Sequence, residues 1–338
     1  MQLRWGIAGL GVLAHSIAPV IKASASGRLV ACASRSEARV REFTAAHDVE
    51  RAYTSYEDLV RDPQVDAVYV ATQNNLHHPV VMAAAAAGKQ ILCEKPFAMN
   101  VAEGEEMVAA CRKAGVALRV GFQHRFSPVL QAAAAVAKSG RIGTIREITV
   151  QRYGAKNFAR NPWRRELATA GLGALADMGL HTIDFAQWIV GDRYTRVFAL
   201  AYPPRKSGLP DETISCMMEF AGGCQATFRI SREMHIASND VQAFGTGGML
   251  ITSALRYTDP HWLRVRTEEG TEESVHPHGQ MPELYLREIE AFAKEVAGER
   301  TQMATGEDGV RIVRLTSALI RSLETGDAVE VQDDWSGQ

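Results

Sequence analysis

Five short apolar runs punctuate the first 120 residues, at 4–8, 29–34, 65–71, 90–94 and 117–120, and the segments between them carry apolar residues at helical spacing. Val80, Val81, Ala84 and Ala87 share a face after His77, and Met107, Val108 and Cys111 precede Gly115, a residue suited to stop a helix. Parallel strands cannot be joined by a tight turn. Each needs a crossover, usually a helix, so this alternation restricts the segment to a parallel, doubly wound sheet. After residue 140 the rhythm changes. Strand-like runs at 145–152, 196–201, 213–220, 224–231, 240–245 and 263–267 follow one another with little helix between them, several separated by glycine turns such as Ala221-Gly222-Gly223 and Gly245-Thr246-Gly247-Gly248. The expected fold class is α/β, with a doubly wound domain over 1–121 and an α+β domain with a large, mostly antiparallel open sheet over 122–338.

Composition narrows the function classes. A chain of 338 residues, 46% of them hydrophobic, is long enough to bury more than one core. Its 37 basic and 39 acidic residues are spread along the whole length, so no single-sign field draws nucleic acid or an anionic membrane, and a small molecule is the expected partner. Cys32, Cys93, Cys111, Cys216 and Cys224 form no CxxC pair and leave one over, which suits free thiols in a reducing compartment. No apolar run approaches the roughly 18 residues of a membrane span, and the first strand starts too early to leave room for a signal peptide. A cytoplasmic protein is expected.

The run Trp5-Gly6-Ile7-Ala8 leads into Gly9-Leu10-Gly11-Val12-Leu13-Ala14, and a helical face follows through Ile17, Val20 and Ile21. Strand, GxGxxA and helix in that order fit a dinucleotide-binding fingerprint of the Rossmann type. Gly9 makes the tight turn, Gly11 lets the backbone approach a pyrophosphate, Val12 and Leu13 open the helix whose N–H groups face the anion, and Ala14 packs closely on the strand. NAD-preferring versions carry an acid at the end of the second strand. Here that strand runs into Ser34-Arg35-Ser36, with Arg39 one turn on, a set suited to the 2′-phosphate of NADP, with NAD the alternative.

Gln90-Ile91-Leu92-Cys93 runs straight into Glu94-Lys95-Pro96. A residue at the carboxyl end of a parallel strand faces the ligand crevice, so Lys95 is placed for chemistry, with its backbone restricted by the proline. The second constellation lies at 171–188. A helix starting near Ala174 puts Asp177, His181, Asp184 and Trp188 on one face, with the carboxylate one turn from the imidazole. An imidazole beside a carboxylate can accept a hydroxyl proton while hydride leaves the same carbon. An incidental pair on a glycine-capped helix, or half a metal site, are the other readings; no third ligand follows at motif spacing, and no metal is expected.

These motifs together resemble the Gfo/Idh/MocA family of oxidoreductases. The likeness is carried by Gly9 to Ala14, by Ala71-Thr72-Gln73-Asn74-Asn75-Leu76-His77, by Glu94-Lys95-Pro96, by Gly171-x-Gly-Ala-Leu-x-Asp177-x-Gly-x-His181-x-x-Asp184, and by residues 304–322, similar to the family's C-terminal helix. The resemblance implies an N-terminal Rossmann domain, a C-terminal domain whose open sheet forms homodimer or homotetramer interfaces, and a cis Lys95–Pro96 bond. It makes Lys95 the residue touching substrate and nicotinamide, His181 the proton acceptor or donor, and Asp177 its partner. Thr72, Asn74, His77 and Glu94 line the cofactor by the same token. Arg125 falls where members place substrate or cofactor contacts, and Trp163, Arg164 and Tyr285, ahead of a helix near Leu286, fall at substrate positions. The implied activity interconverts a secondary hydroxyl and a ketone on a sugar, cyclic polyol or sugar derivative. The family's NAD-dependent glycosidases and its non-catalytic dinucleotide-binding regulators are the alternatives.

Overall fold

A computed structural model describes residues 2–155, 162–235, 239–253, 260–277 and 281–332. The chain divides into two compact units, Met1–Gln123 with Met281–Val313, and His124–Gln280 with Arg314–Gln338. The expected second domain began at 122 and ran unbroken to the end. Residues 281–313 instead return to the first unit, because a helix that completes another unit's core carries the same amphipathic pattern wherever it packs.

In the first unit, strands β1 (Leu3–Ala8), β2 (Gly27–Ala33), β3 (Arg51–Tyr53), β4 (Ala67–Val70), β5 (Gln90–Glu94) and β6 (Leu118–Gly121) form a parallel sheet in the order β6-β5-β4-β1-β2-β3, and a short strand β15 (Ala304–Thr305) adds antiparallel to β6. The strand order reverses between β1 and β4, the point where doubly wound sheets bind ligands at their carboxyl ends. Ile7, Ala8, Val68, Tyr69, Val70, Ile91, Leu92 and Cys93 are sealed on both faces, which explains why these strands appear as continuous apolar runs. Helices α1 (Val12–Ala23), α2 (Glu37–His47), α3 (Tyr56–Arg61), α4 (His77–Ala86) and α5 (Val101–Ala114) make the crossovers. Asn100 caps α5 by accepting from the Glu103 N–H at 3.0 Å, and Gly115, with φ +68°, ends it. Helix α9 (Met281–Val296) packs on α1 and brings Phe292 within 5.1 Å of Trp5. It begins at Met281, not near Leu286, so Tyr285 lies inside the helix. The Lys95–Pro96 peptide is cis.

The second unit is a nine-stranded sheet among the described residues: β7 (Ile145–Tyr153), β8 (Tyr194–Tyr202), β9 (Thr213–Phe220), β10 (Gln225–Ser231), β11 (Asn239–Gly245), β12 (Gly248–Thr252), β13 (His261–Thr267), β14 (Gly270–His276) and β16 (Val329–Glu330). Its order is β14-β13-β12-β11-β7-β10-β9-β8-β16, antiparallel everywhere except between β7 and β10. Ile148, Val150, Ile214, Cys216, Ala226, Phe228 and Ile230 alternate onto one buried face. Helices α6 (Pro128–Lys138), α7 (Leu167–Ala170) and α8 (Leu180–Val190) belong to this unit, and α10 (Gly306–Thr325) is divided between the two at Val313. On the sheet's other face Leu200, Tyr202 and Met217 are 62, 65 and 61% exposed.

Candidate functional site

The two glycines of the opening motif do different jobs. Gly9 has φ +94°, and a Cβ there would lie 2.6 Å from the Ala71 carbonyl oxygen and 2.7 Å from the Thr72 Cα, so the fold itself demands glycine. Gly11 has extended backbone, and a Cβ there would meet nothing within 4 Å. It precedes α1, whose first turn has no side-chain cap and no acid. A bare backbone beside an uncapped helix N-terminus leaves N–H groups and the positive end of the dipole turned to an anion, and a dinucleotide pyrophosphate fits there. Val12 is exposed and Leu13 half-buried at this turn.

At the end of β2, Ser34 is buried and its hydroxyl accepts from the Ser36 N–H at 3.3 Å, while the Ser36 hydroxyl caps α2 by accepting from the Arg39 N–H at 3.4 Å. These bonds fix the loop and leave the exposed Arg35 and Arg39 to supply charge. Arg35 reaches the Tyr56 hydroxyl; burial raises that phenol's pKa, and the nearby guanidinium opposes the rise.

Along the ends of β4 and β5, Thr72 and Asn74 are buried, and the Thr72 hydroxyl donates to the Gln73 carbonyl at 3.2 Å. His77 is buried with Nδ1 2.8 Å from the Pro96 carbonyl oxygen, and burial pushes its imidazole down to about 4, so it stays neutral and ties the 72–77 loop to the Glu-Lys-Pro turn. Glu94 is buried and accepts from the Tyr69 hydroxyl at 2.5 Å, while the half-buried Lys95 follows it. Gly121 makes room for that carboxyl group, since a Cβ there would stand 3.1 Å from its carbon. Tyr285 is buried, and its hydroxyl accepts from Gln123 Nε2 at 3.2 Å.

In the second unit the expected regular helical face is interrupted. Residues Leu175–Gly179 form a π-helical turn before α8 begins at Leu180, so Asp177 and His181 are not successive positions on one α-helical ridge. Asp211 dictates this: its carboxylate accepts from the N–H groups of Gly173 (2.7 Å) and Leu175 (2.9 Å), and its carbonyl accepts from Ala174. Gly173 must be glycine, because a Cβ would fall 1.9 Å from that carbonyl oxygen, and Gly179 makes room for Ile230 of β10. Single π turns recur at functional sites.

The turn delivers Asp177 between two guanidiniums, Arg164 on Oδ1 and Arg232 on Oδ2, the latter at 2.8 Å. The Arg232 side chain is 0% exposed and also forks onto Glu212 at 2.6 and 2.8 Å, so two carboxylates and two guanidiniums balance. Arg164 in turn lies over the half-buried Trp163 ring, 4.8 Å from its centre. His181 is buried edge-on to His124, with ring centres 4.8 Å apart, and His124 stands 3.4 Å from Arg152, which donates to the Met178 carbonyl. Arg125 forms a buried, bidentate pair with Asp184 at 2.6 and 2.8 Å. Asp184 is thereby explained as a partner for Arg125, and Trp188 as the ring under the Lys138 ammonium at 4.9 Å. Among the described residues no cluster of three His, Cys, Asp or Glu could hold a metal ion, and no helix is long and apolar enough to cross a membrane.

Residues 3–122 match the model of the Gfo/Idh/MocA oxidoreductase family with an NAD-binding Rossmann fold, and residues 130–251 match the model of that family's C-terminal domain. The chain belongs to the Gfo/Idh/MocA family of oxidoreductases. Among relatives of this Gfo/Idh/MocA protein, trans-1,2-dihydrobenzene-1,2-diol dehydrogenase of Sus scrofa is 34% identical over 264 residues, 78% of this chain and 76% of that one. The 1,5-anhydro-D-fructose reductase of Ensifer adhaerens is 31% identical over 97% of this chain and 98% of its own. In three dimensions the chain is similar to the aldose-aldose oxidoreductase of Caulobacter crescentus, solved with glycerol, at a TM-score of 0.87 and 26% identity over 98% of this chain and all of that one. An NAD(P)-binding oxidoreductase is the function that family membership establishes.

Arg232, Glu212, Asp211, Arg152, His124 and Tyr69 were not singled out by sequence. Each acts on a residue 20 to 57 positions away, and contacts at such separations leave no local pattern.

Proposed function

We propose that the protein interconverts a secondary hydroxyl and a ketone on a sugar, cyclic polyol or sugar derivative, with Lys95, Asp177 and His181 as its catalytic residues. The observation that carries the proposal is Lys95 directly after the carboxyl end of β5, in the same parallel sheet whose β1 runs at its own carboxyl end into the bare Gly9-x-Gly11 turn, in a domain of the NAD-binding family. When bound, the nicotinamide accepts or donates the hydride. In the oxidative direction His181 takes the hydroxyl proton, the Lys95 ammonium donates to the reacting oxygen, and Asp177 holds a hydroxyl in register. A carboxylate oxygen has two lone pairs, so Asp177 can accept from substrate while both arginines hold it. Relatives named for an anhydro-sugar ketone and for a cyclic diol support a neutral, hydroxylated substrate.

NADP is the proposed preference over NAD, supported by exposed Arg35 and Arg39 at the end of a strand that carries no acid. A homodimer or homotetramer through the outer sheet face is supported by the exposed Leu200, Tyr202 and Met217, and light scattering checks it. A cytoplasmic location is supported by five buried, unpaired cysteines. Fluorescence titration with NADPH and NADH, followed by nicotinamide absorbance against sugars, inositols and keto-sugars, tests the reading. Net consumption of NADPH separates a reductase from a transient-hydride glycosidase or a binding-only regulator. Lys95→Ala is expected to keep dinucleotide binding and lose about 100-fold or more in turnover; unaltered turnover would refute the role given to Lys95.

A further inference from the structure

The first unit buries a second acid that the reading above leaves unused. Glu288, on α9, is 1% exposed, and among the described residues neither of its carboxyl oxygens has a hydrogen-bond partner. The charged group acting on it is Glu94 from β5, and Tyr69 from β4 and Tyr285 from α9 belong to the same cluster. Two carboxylates that feel each other in a sealed core cannot both ionise at ordinary pH. Their surroundings decide which keeps the proton. Glu94 receives the Tyr69 hydroxyl at 2.5 Å, and a donated hydrogen bond favours the anion. Glu288 receives none, and burial, with the Glu94 charge second, raises its carboxyl well above the usual range.

We propose that Glu288 is a proton-bearing positioning residue: held neutral, it leaves Glu94 as the single anion of a buried acid pair and fixes that carboxylate between Tyr69 and Gly121, directly before Lys95. The proposal rests on the reading that Glu94 meets the bound dinucleotide. Loss of the Glu288 proton would put two like charges behind the Glu-Lys-Pro turn and drive Glu94 from its place.

Infrared difference spectroscopy of the full chain, without cofactor, locates the proton. A protonated-carboxyl stretch is expected at neutral pH in the parent and absent in Glu288→Gln. In Glu94→Gln, where the repelling charge is gone, the Glu288 band is expected to titrate at lower pH than in the parent. NADPH affinity is then followed with pH: it should hold steady while the band persists and fall about tenfold per pH unit where the band disappears, one proton's worth, with no such slope in Glu288→Gln. The proposal is overturned if Glu288→Gln loses no band, if the band titrates unchanged in Glu94→Gln, or if affinity falls while the band remains. Failure to bind either dinucleotide sinks the cofactor reading alone, because the infrared result still decides where the proton sits.

Discussion

Replacing each glycine of the Gly9-x-Gly11 turn by alanine separates what the fold needs from what a ligand needs. At Gly9 an alanine inherits φ +94°, worth about 1–2 kcal/mol for an L-residue. Its Cβ meets backbone atoms of Ala71 and Thr72 at 2.6–2.7 Å, which no side-chain rotation relieves, adding about 1–3 kcal/mol of overpacking. Gly9→Ala is therefore expected to lose about 2–5 kcal/mol of stability. At Gly11 the backbone suits any residue and the added methyl meets nothing within 4 Å. A weaker N-cap costs about 0.5–1 kcal/mol, and the stiffer unfolded chain returns about 0.4–1 kcal/mol, so Gly11→Ala should unfold within about 0.5 kcal/mol of the parent. The same methyl stands where a pyrophosphate approaches, so dinucleotide affinity should drop at least about tenfold, about 1.4 kcal/mol. Urea midpoints and a fluorescence titration on the same preparations give both numbers. A Gly11→Ala protein that binds as tightly as the parent, or a Gly9→Ala protein that is as stable, would refute the division of labour.

Asp177→Asn keeps the shape but takes one carboxylate charge from both Arg164 and the sealed Arg232; a loss of about 3 kcal/mol is expected, the low end for breaking a buried pair because Glu212 still holds Arg232. An unchanged unfolding midpoint would mean the ion pairs do not hold the turn. Burial pushes the Cys32 and Cys111 thiols up to about 12 and Cys224 up to about 11, so a disulfide reagent at mildly alkaline pH should leave the native protein unmodified and titrate all five cysteines after denaturation. For Glu288 the folded carboxyl lies above its usual 4.5, so the native state binds the extra proton and stability declines as pH rises from about that value toward the folded one. Glu288→Gln lacks this decline, and its advantage over the parent should grow by about 1.4 kcal/mol per pH unit across that window and vanish below it. A constant difference would contradict the assignment.

The parallel half of the fold was legible because its strands are buried on both faces: β4 and the Ile91–Cys93 centre of β5 are uninterrupted apolar runs, and Gly115 marks the end of the helix that follows. β14 was not legible, since its Thr, Glu, Glu and Ser are exposed along its length and show no alternation. β12 was missed because it starts inside the glycine turn that sequence assigns to a loop. At the candidate site, the motif residues themselves stood out, but not the π turn that redirects Asp177. That turn is set by Asp211, 34 residues later, and a single carboxylate in a loop carries no signal of the N–H groups it will accept. Tyr285 was expected ahead of a helix near Leu286 and lies inside one that starts at Met281, a full turn earlier than the local pattern suggests, with its hydroxyl bonded to Gln123.

The return of residues 281–313 to the first unit also bears on how the protein is made. Emerging from a ribosome, the nucleotide-binding sheet is complete in its parallel strands after residue 121, yet Trp5 has no Phe292 to cover it and β6 has no β15 at its edge until nearly the whole chain has been synthesised. Nascent domains fold as units from the N-terminus, so for most of its synthesis this one waits as an open edge and an uncovered face. A fragment cut at 121 would carry every glycine of the dinucleotide motif and still lack the helix that seals its core.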